Sequence, residues 1–321
     1  PSYAFMDIPE EVREQVLGFA RGQFANHLNF DVGAVTLTGS RTELPNSVEE
    51  ILNKPFERKL LAYLPADLPG VISLAMNVDG LEDMAQSTME EGQKELLYGI
   101  LNRELGIDRV SDVFGGSVLI GFHGIQDNEL DVQGQKVKAG KRPSRTEPIP
   151  IISLVVELES EAFFLSDQWN NLVSAVAEEK DGHYAVEGPG GMMVYIDWDR
   201  ETLLLTNHLK TASNFDQGGY GMMGLSSMSK EALDIGTSNF YMKGDWNHLL
   251  RQSDSNALEL IMGEFMSAMR LPDGSAMTDV FDKITLKGNN HSWTTQFHTV
   301  DSERNSIVVL LELILDQMEK K

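Results

Sequence analysis

Ser111-Asp112-Val113-Phe114-Gly115-Gly116-Ser117-Val118-Leu119-Ile120-Gly121 decides how this chain is read. A helix-like segment precedes it, apolar residues fill its second half and a glycine ends it, so it reads as a helix-to-strand junction. The pattern returns 167 positions later as Thr278-Asp279-Val280-Phe281, followed by Asp282-Lys283-Ile284-Thr285-Leu286-Lys287-Gly288. Asn29-Phe30-Asp31-Val32-Gly33-Ala34-Val35-Thr36-Leu37-Thr38-Gly39 is a weaker third copy. A repeat of this kind speaks of architecture before it speaks of chemistry.

Working outward, the first two copies carry similar surroundings. An apolar strand at 71–78 precedes the first, with a short helix at 81–86 and a longer one at 88–105 between. A strand at 238–243, a short helix at 246–251 and a longer one at 257–269 precede the second. Ala75-Met76-Asn77 set against Tyr241-Met242-Lys243 gives an offset of 166, close to that of the Asp-Val-Phe stretches. A partner strand and a helix follow each copy, at 151–158 and 161–178, and at 291–300 and 304–318. The expected fold is therefore α+β: duplicated strand-helix-helix-strand-strand-helix units, with mainly antiparallel sheets covered by helices on one face. The divisions are a partial unit at 1–60, a full unit at 61–180, a hairpin and Gly/Met-rich connection at 181–236, and a second full unit at 237–321. The partial unit opens on an amphipathic helix at 9–28, with Pro9 in its first turn and Val12, Val16, Phe19 and Phe24 on its apolar side. Ser47, with Glu50 three residues on, marks another helix start.

A chain of 321 residues with 41% hydrophobic and 23% charged residues can bury a full core. Its formal net charge of −23 disfavours nucleic acid and anionic membrane surfaces as partners, though solubility alone accounts for such a charge. No apolar run reaches the ~20 residues that span a bilayer. The chain has no cysteine, which excludes disulfides, thiolate metal sites and thiol catalysis. Pro1 is not an initiator, so a preceding segment is expected.

The spelled motifs lack their supports. Gly219-Tyr220-Gly221-Met222-Met223-Gly224 matches a dinucleotide-binding spelling, but a loop precedes it and the next helix starts near Ser229. Ser227-Met228-Ser229-Lys230 spells a serine–lysine dyad without its partner motifs, and Ser229 reads better as a helix cap. A calcium loop counted from Asp197 would need glycine and glutamate where Thr202 and His208 stand, so Asp197, Asp199 and Glu201 read as a solvated hairpin end. The seven histidines are scattered and read as ordinary surface or core residues. No catalytic residue, metal ligand or cofactor is assigned.

Two stretches remain as candidate contact surfaces. A polar excursion at 126–148 carries Lys136, Lys138, Lys141, Arg142 and Arg145 against the sign of the whole chain, as an exposed hairpin tongue or a contact for an acidic partner. Residues 214–224 carry four glycines with Phe215, Tyr220, Met222 and Met223, as an adaptable contact loop or as a plug between the units.

The repeated Asp-Val-Phe strand, Tyr63-Leu64-Pro65-Ala66-Asp67 leading into Val71-Ile72-Ser73-Leu74, and Asn305-Ser306-Ile307 opening the last helix resemble an uncharacterised family of exported, often lipid-anchored proteins of Bacteroidetes-type bacteria. The resemblance implies a periplasmic or outer-membrane-surface location and supplies no catalytic residues. The expected function is a non-enzymatic envelope-associated binding protein for a protein or other macromolecule. The alternatives are a hydrolase, glycan-directed for instance, using acidic residues between units, and a structural module.

Overall fold

Gly70-Val71-Ile72-Ser73-Leu74-Ala75 alternates as a half-buried strand must, with Val71, Ser73 and Ala75 buried and Ile72 on the other side. In the computed structural model, which describes residues 24–41, 46–130, 145–180, 182–188, 191–226, 229–245, 280–309 and 311–312, this is β3 (Gly70–Ala75). It pairs antiparallel with β10 (Phe240–Asp245), Ile72 opposite Met242. That seam joins one twelve-stranded sheet, ordered β1-β2-β12-β11-β10-β3-β4-β5-β9-β8-β7-β6 and antiparallel throughout. The remaining strands are β1 (Phe24–Asp31), β2 (Ala34–Arg41), β4 (Phe114–Leu130), β5 (Arg145–Leu158), β6 (Glu178–Lys180), β7 (His183–Glu187), β8 (Met193–Trp198), β9 (Thr202–Thr206), β11 (Phe281–Gly288) and β12 (Ser292–Thr299).

The expected α+β architecture of duplicated, helix-covered units is thus corrected. β3 and β10 would each have been the open edge of its own unit, with unpaired N–H and C=O groups. They satisfy one another instead, and the two sets of strands merge. The α-helices of the described residues are short: α1 (Asn46–Leu52), α2 (Val78–Thr88), α3 (Glu91–Ile100), α4 (Asp167–Val176), α5 (Leu209–Phe215) and α6 (Lys230–Gly236). The helices expected at 246–251 and 257–269 lie outside the described residues.

Other expectations change locally. Residues 24–28, expected in the first helix, belong to β1, which turns back into β2 at Gly33 in a left-handed conformation of φ 76°. The hairpin expected around Asp199 extends to the four-stranded run β6–β9. The polar excursion begins and ends as strand, since β4 runs to Leu130 and β5 starts at Arg145. Helical backbone at 306–309 opens the last expected helix.

Both Asp-Val-Phe stretches lead into strands next to the seam, β4 beside β3 and β11 beside β10. Val113 and Val280 are both buried. The Val113 carbonyl accepts from Glu159 N–H at 2.9 Å, and the Val280 carbonyl from Val300 N–H at 2.8 Å. Each strand then breaks register, between Phe114 and Val118 and between Phe281 and Lys283. The first irregularity needs its glycines. Gly116 sits at φ 103°, its carbonyl accepts from Met76 N–H at 3.1 Å, and a Cβ there would strike the Met76 carbonyl oxygen.

The main core fills one face of the sheet. Leu60 and Leu61 of the 3-10 helix Arg58–Tyr63, with Leu64 after it, pack on Leu119, Val155, Leu204, Ile235 and Tyr241. Each such side chain taken from water stabilises the fold by about 1.5–3 kcal/mol. On the opposite face the direct cross-strand partners form a row: Leu28, Leu37, Thr295, Leu286, Met242, Ile72, Ile120, Leu154, Leu205, Ile196 and Tyr184. None of these is fully buried. Smaller clusters cover this face near its ends, one around Phe164 and Leu158, another around Val35 and Phe281.

Gly116→Ala is expected to lower stability by at least about 2 kcal/mol, since it combines a positive φ with a backbone collision. Thermal or urea unfolding measures it.

Candidate functional site

The connection after β9 is where the candidate contact residues meet the fold. α5 lays Thr211, Ala212 and Phe215 onto the sheet, and all three are buried. Phe215 stands 4.7 Å from the Tyr63 ring, centroid to centroid, and belongs to the main core. Tyr220 is buried as well; its N–H donates to the Ala62 carbonyl at 2.8 Å and its hydroxyl pairs with Thr211 Oγ1 at 2.8 Å. Phe215 and Tyr220 therefore leave the proposed contact surface, because large aromatic rings gain more from the core than from water. They plug the stretch against residues 62–68.

Met222 and Met223 do the opposite. They are 96% and 70% exposed on the 3-10 turn Gly221–Met223. The turn is held by backbone. Ala66 N–H donates to the Met223 carbonyl at 3.0 Å, Leu225 N–H to the Leu64 carbonyl at 2.8 Å, and Gly224 bridges Pro65. Gly219, at φ 96°, lets the chain pass so close to Ala62 that a Cβ would meet its carbonyl oxygen. The stretch read as weakly restrained is thus fixed, and two methionines project from it. Of the basic candidates, Lys136, Lys138, Lys141 and Arg142 lie outside the described residues, and Arg145 begins β5.

Beneath the turn runs a chain of hydroxyls and imidazoles. His123 Nε2 lies 2.7 Å from Ser153 Oγ, which lies 2.7 Å from Thr206 Oγ1. His208 N–H donates to Thr206 Oγ1 at 3.0 Å, and His208 Nδ1 lies 2.8 Å from Thr211 Oγ1. The two imidazoles are 4.4 Å apart. A serine beside a histidine invites a nucleophilic reading, but Ser153 and Thr206 are buried in the sheet, away from any substrate. Burial pushes the His123 pKa down to about 3, with His208 adding to the effect against Asp67. Burial also lowers His208, with Lys210 adding, and pushes His298 down to about 4, with Lys283 and Lys230 adding.

At the far edge of the sheet, β7 and β8 set His183 beside Asp197. His183 Nδ1 lies 2.9 Å from Asp197 Oδ1 and 3.8 Å from Oδ2 of Asp216, the residue after α5. His183 and Asp197 are buried and Asp216 is exposed. Burial raises the Asp197 pKa, against the bond and charge of His183 and with help from Asp216. From sequence alone, Asp197 belongs to a solvated hairpin end and His183 to the scattered histidines. The missed signal is Gly188-Pro189-Gly190-Gly191: a hairpin centred there sets 183 opposite 197.

Acidic residues do gather in one groove, a cavity of about 440 Å3 lined in part by Asp79, Asp112 and Glu159. Two are already engaged by Arg109, whose N–H donates to Asp112 Oδ2 at 2.9 Å and whose guanidinium lies 3.7 Å from Asp79. Ser229 caps α6 by accepting from Ala232 N–H at 3.1 Å, as its sequence position suggests, while Ser227 of the serine–lysine spelling lies outside the described residues.

Comparison of the chain with family models, with curated proteins and with solved structures returned no match in any of the three. No helix of the described residues is long and apolar enough to cross a membrane.

The imidazoles set a pH dependence. They stay neutral in the fold, whereas an unfolded histidine protonates below about 6.5. The unfolded chain therefore binds more protons from about pH 6.5 down to the lowered native values, and stability falls as pH falls through that window. The melting temperature is expected to be lower at pH 5 than at pH 7, and His123→Gln to flatten the slope; calorimetry across that range checks both.

Proposed function

We propose that the protein is a non-enzymatic binding protein of the cell envelope, engaging a protein or other macromolecular partner through Met222 and Met223. The observation that carries this reading is their exposure, nearly complete for Met222, on a turn whose backbone is hydrogen-bonded to residues 62–66. Exposed methionine costs apolar hydration, and a thioether side chain adapts to many apolar surfaces. A fixed backbone loses little conformational freedom on association, so contact area on it converts to affinity more fully than on a floppy loop. The net charge of −23 favours a partner that is neutral or basic around its apolar pocket. The envelope location rests on the family resemblance. The hydrolase alternative draws less support, since the carboxylates of the acidic groove are partly tied to Arg109.

The test is a photo-crosslinking amino acid at position 222 in native cells, with exposed Glu179 as control position. A discrete adduct at 222 that is absent at 179 is expected, and Met222→Ser with Met223→Ser should abolish its binding to the purified protein while shifting the melting temperature by less than about 1 °C, as surface substitutions do. Tyr220→Ala should instead cost about 2–5 kcal/mol, being a large-to-small change in a packed site. No adduct at 222 above control would retire the reading.

A further inference from the structure

His183, Asp197 and Asp216 come from three separate elements, and each offers one ligand atom within 4.8 Å of the others. His183 belongs to β7 and Asp197 to β8, so the sheet fixes both. Asp216 is the C-cap of α5, whose Ala212 packs with Ala185 and Tyr195 beside the pair. The Tyr195 ring stands edge-on to the imidazole at 5.9 Å. The arrangement is therefore two preset ligands at the bottom and a third on an exposed arm.

A histidine–aspartate pair alone has a plain structural explanation. The second Asp197 oxygen does not fit it. Asp197 is only 8% exposed, its Oδ1 is taken by His183, and its Oδ2 is buried without a hydrogen-bond partner. A buried carboxylate oxygen left unpaired is costly, and a cation is one way to satisfy it. Asp216 points the same way, because placing a second carboxylate 3.8 Å from the imidazole adds negative charge where one is already buried.

We infer that His183, Asp197 and Asp216 bind one divalent transition-metal ion of the zinc class. One imidazole nitrogen and two carboxylate oxygens suit a borderline ion, and the two carboxylates balance its charge. Calcium takes six to eight oxygens and magnesium keeps an octahedral shell of oxygens, so both are poor matches for a buried imidazole. Zinc bonds of about 2.0–2.2 Å place tetrahedral ligand atoms roughly 3.4 Å apart. His183 Nδ1 lies 2.9 Å from Asp197 Oδ1 and 3.8 Å from Asp216 Oδ2. A small turn of the Asp197 carboxylate, which brings its unpaired Oδ2 into play, and a shift of the exposed Asp216 side chain reach that spacing. On binding, Nδ1 gives up any proton to solvent and donates its lone pair to the metal, while Asp197 turns from hydrogen-bond partner to ligand. Water completes the shell. The ion would tie α5 to the sheet edge, whatever the partner of the methionine turn.

Isothermal titration of chelator-stripped full chain with Zn2+, alongside thermal unfolding, tests this. One saturable site and a raised melting temperature are expected for Zn2+, with no saturable heat for Mg2+ or Ca2+. Asp216→Asn is the informative variant, because its exposed side chain leaves the metal-free fold intact. It should keep the metal-free melting temperature and lose Zn2+ affinity by at least about 100-fold, more than an outer-shell change produces. Co2+ bound to the wild type should show d–d bands that this variant lacks. No saturable Zn2+ site in the wild type, or equal affinity and bands in Asp216→Asn, would overturn the assignment.

Discussion

Everything in the fold hangs on the pairing of β3 with β10. The two strands are far apart in sequence, so their ladder closes a long loop, whose entropic cost grows only slowly with length. The local surroundings repay it. Asn239, just before β10, donates from Nδ2 to the Leu52 and Lys54 carbonyls at 2.6 and 2.8 Å, and its own carbonyl accepts from Ala75 N–H at 2.7 Å. Tyr241 and Val71 bury beside one another in the main core. Lys243, at the same seam, pairs with Glu231 of α6 at 2.8 Å with both side chains largely buried, so α6 is held by charge as well as by Ile235. Remove the seam and two open sheet edges, an unpaired Glu231 and half a core would face water together.

The buried aromatics of the connection explain why its methionines can be exposed. Phe215 and Tyr220 anchor either side of the glycines, and the backbone bonds to Ala62, Leu64 and Ala66 fix what lies between. The 3-10 helix beneath is itself tied outward, since Tyr63 OH donates to Asp199 Oδ2 at 2.7 Å and Lys59 pairs with Glu201 at 2.8 Å. Asp199 and Glu201, which in sequence belong only to a hairpin end, thus brace the floor of the methionine turn.

Sequence pattern located strands and turns well where a single strand's own alternation carried the signal. Val71, Ser73 and Ala75 show it, as do the Asp-Val-Phe junctions with their buried valines. It misplaced what depends on a partner. Nothing in 24–28 says strand except the antiparallel neighbour at 37–41, and the apolar spacing of the preceding residues favoured a helix. Burial of Glu82 is equally hidden: Val110 N–H, Ser111 N–H and Arg109 converge on its carboxylate at 3.3 Å each, and the Ser111 hydroxyl donates to it at 3.1 Å. The His183–Asp197–Asp216 group spans β7, β8 and the end of α5, so no spacing rule for ligands on one element could find it.

The two sides of the seam differ in their number of strands. Five described strands lie on the β10 side and seven on the β3 side. The excess is at the outer edge, where β7 and β6 extend the sheet beyond β8, and His183 sits on that extension. A short edge strand such as β6, all of it exposed, is cheap to add and hard to defend, because it offers an unpaired ladder to other chains. Glu178, Glu179 and Lys180 blunt it with charge. One strand inward the character reverses, with His183 and Ala185 buried beneath α5. The same α5 leads directly into the glycine stretch and its methionines. Asp216, beside the unpaired Asp197 carboxylate oxygen of β8, and the two exposed thioethers lie on one connection, with buried Tyr220 between them. A stable sheet would fold without either. The methionines project from a backbone already fixed by hydrogen bonds to Ala62, Leu64 and Ala66, so their exposure does not come from a loose loop.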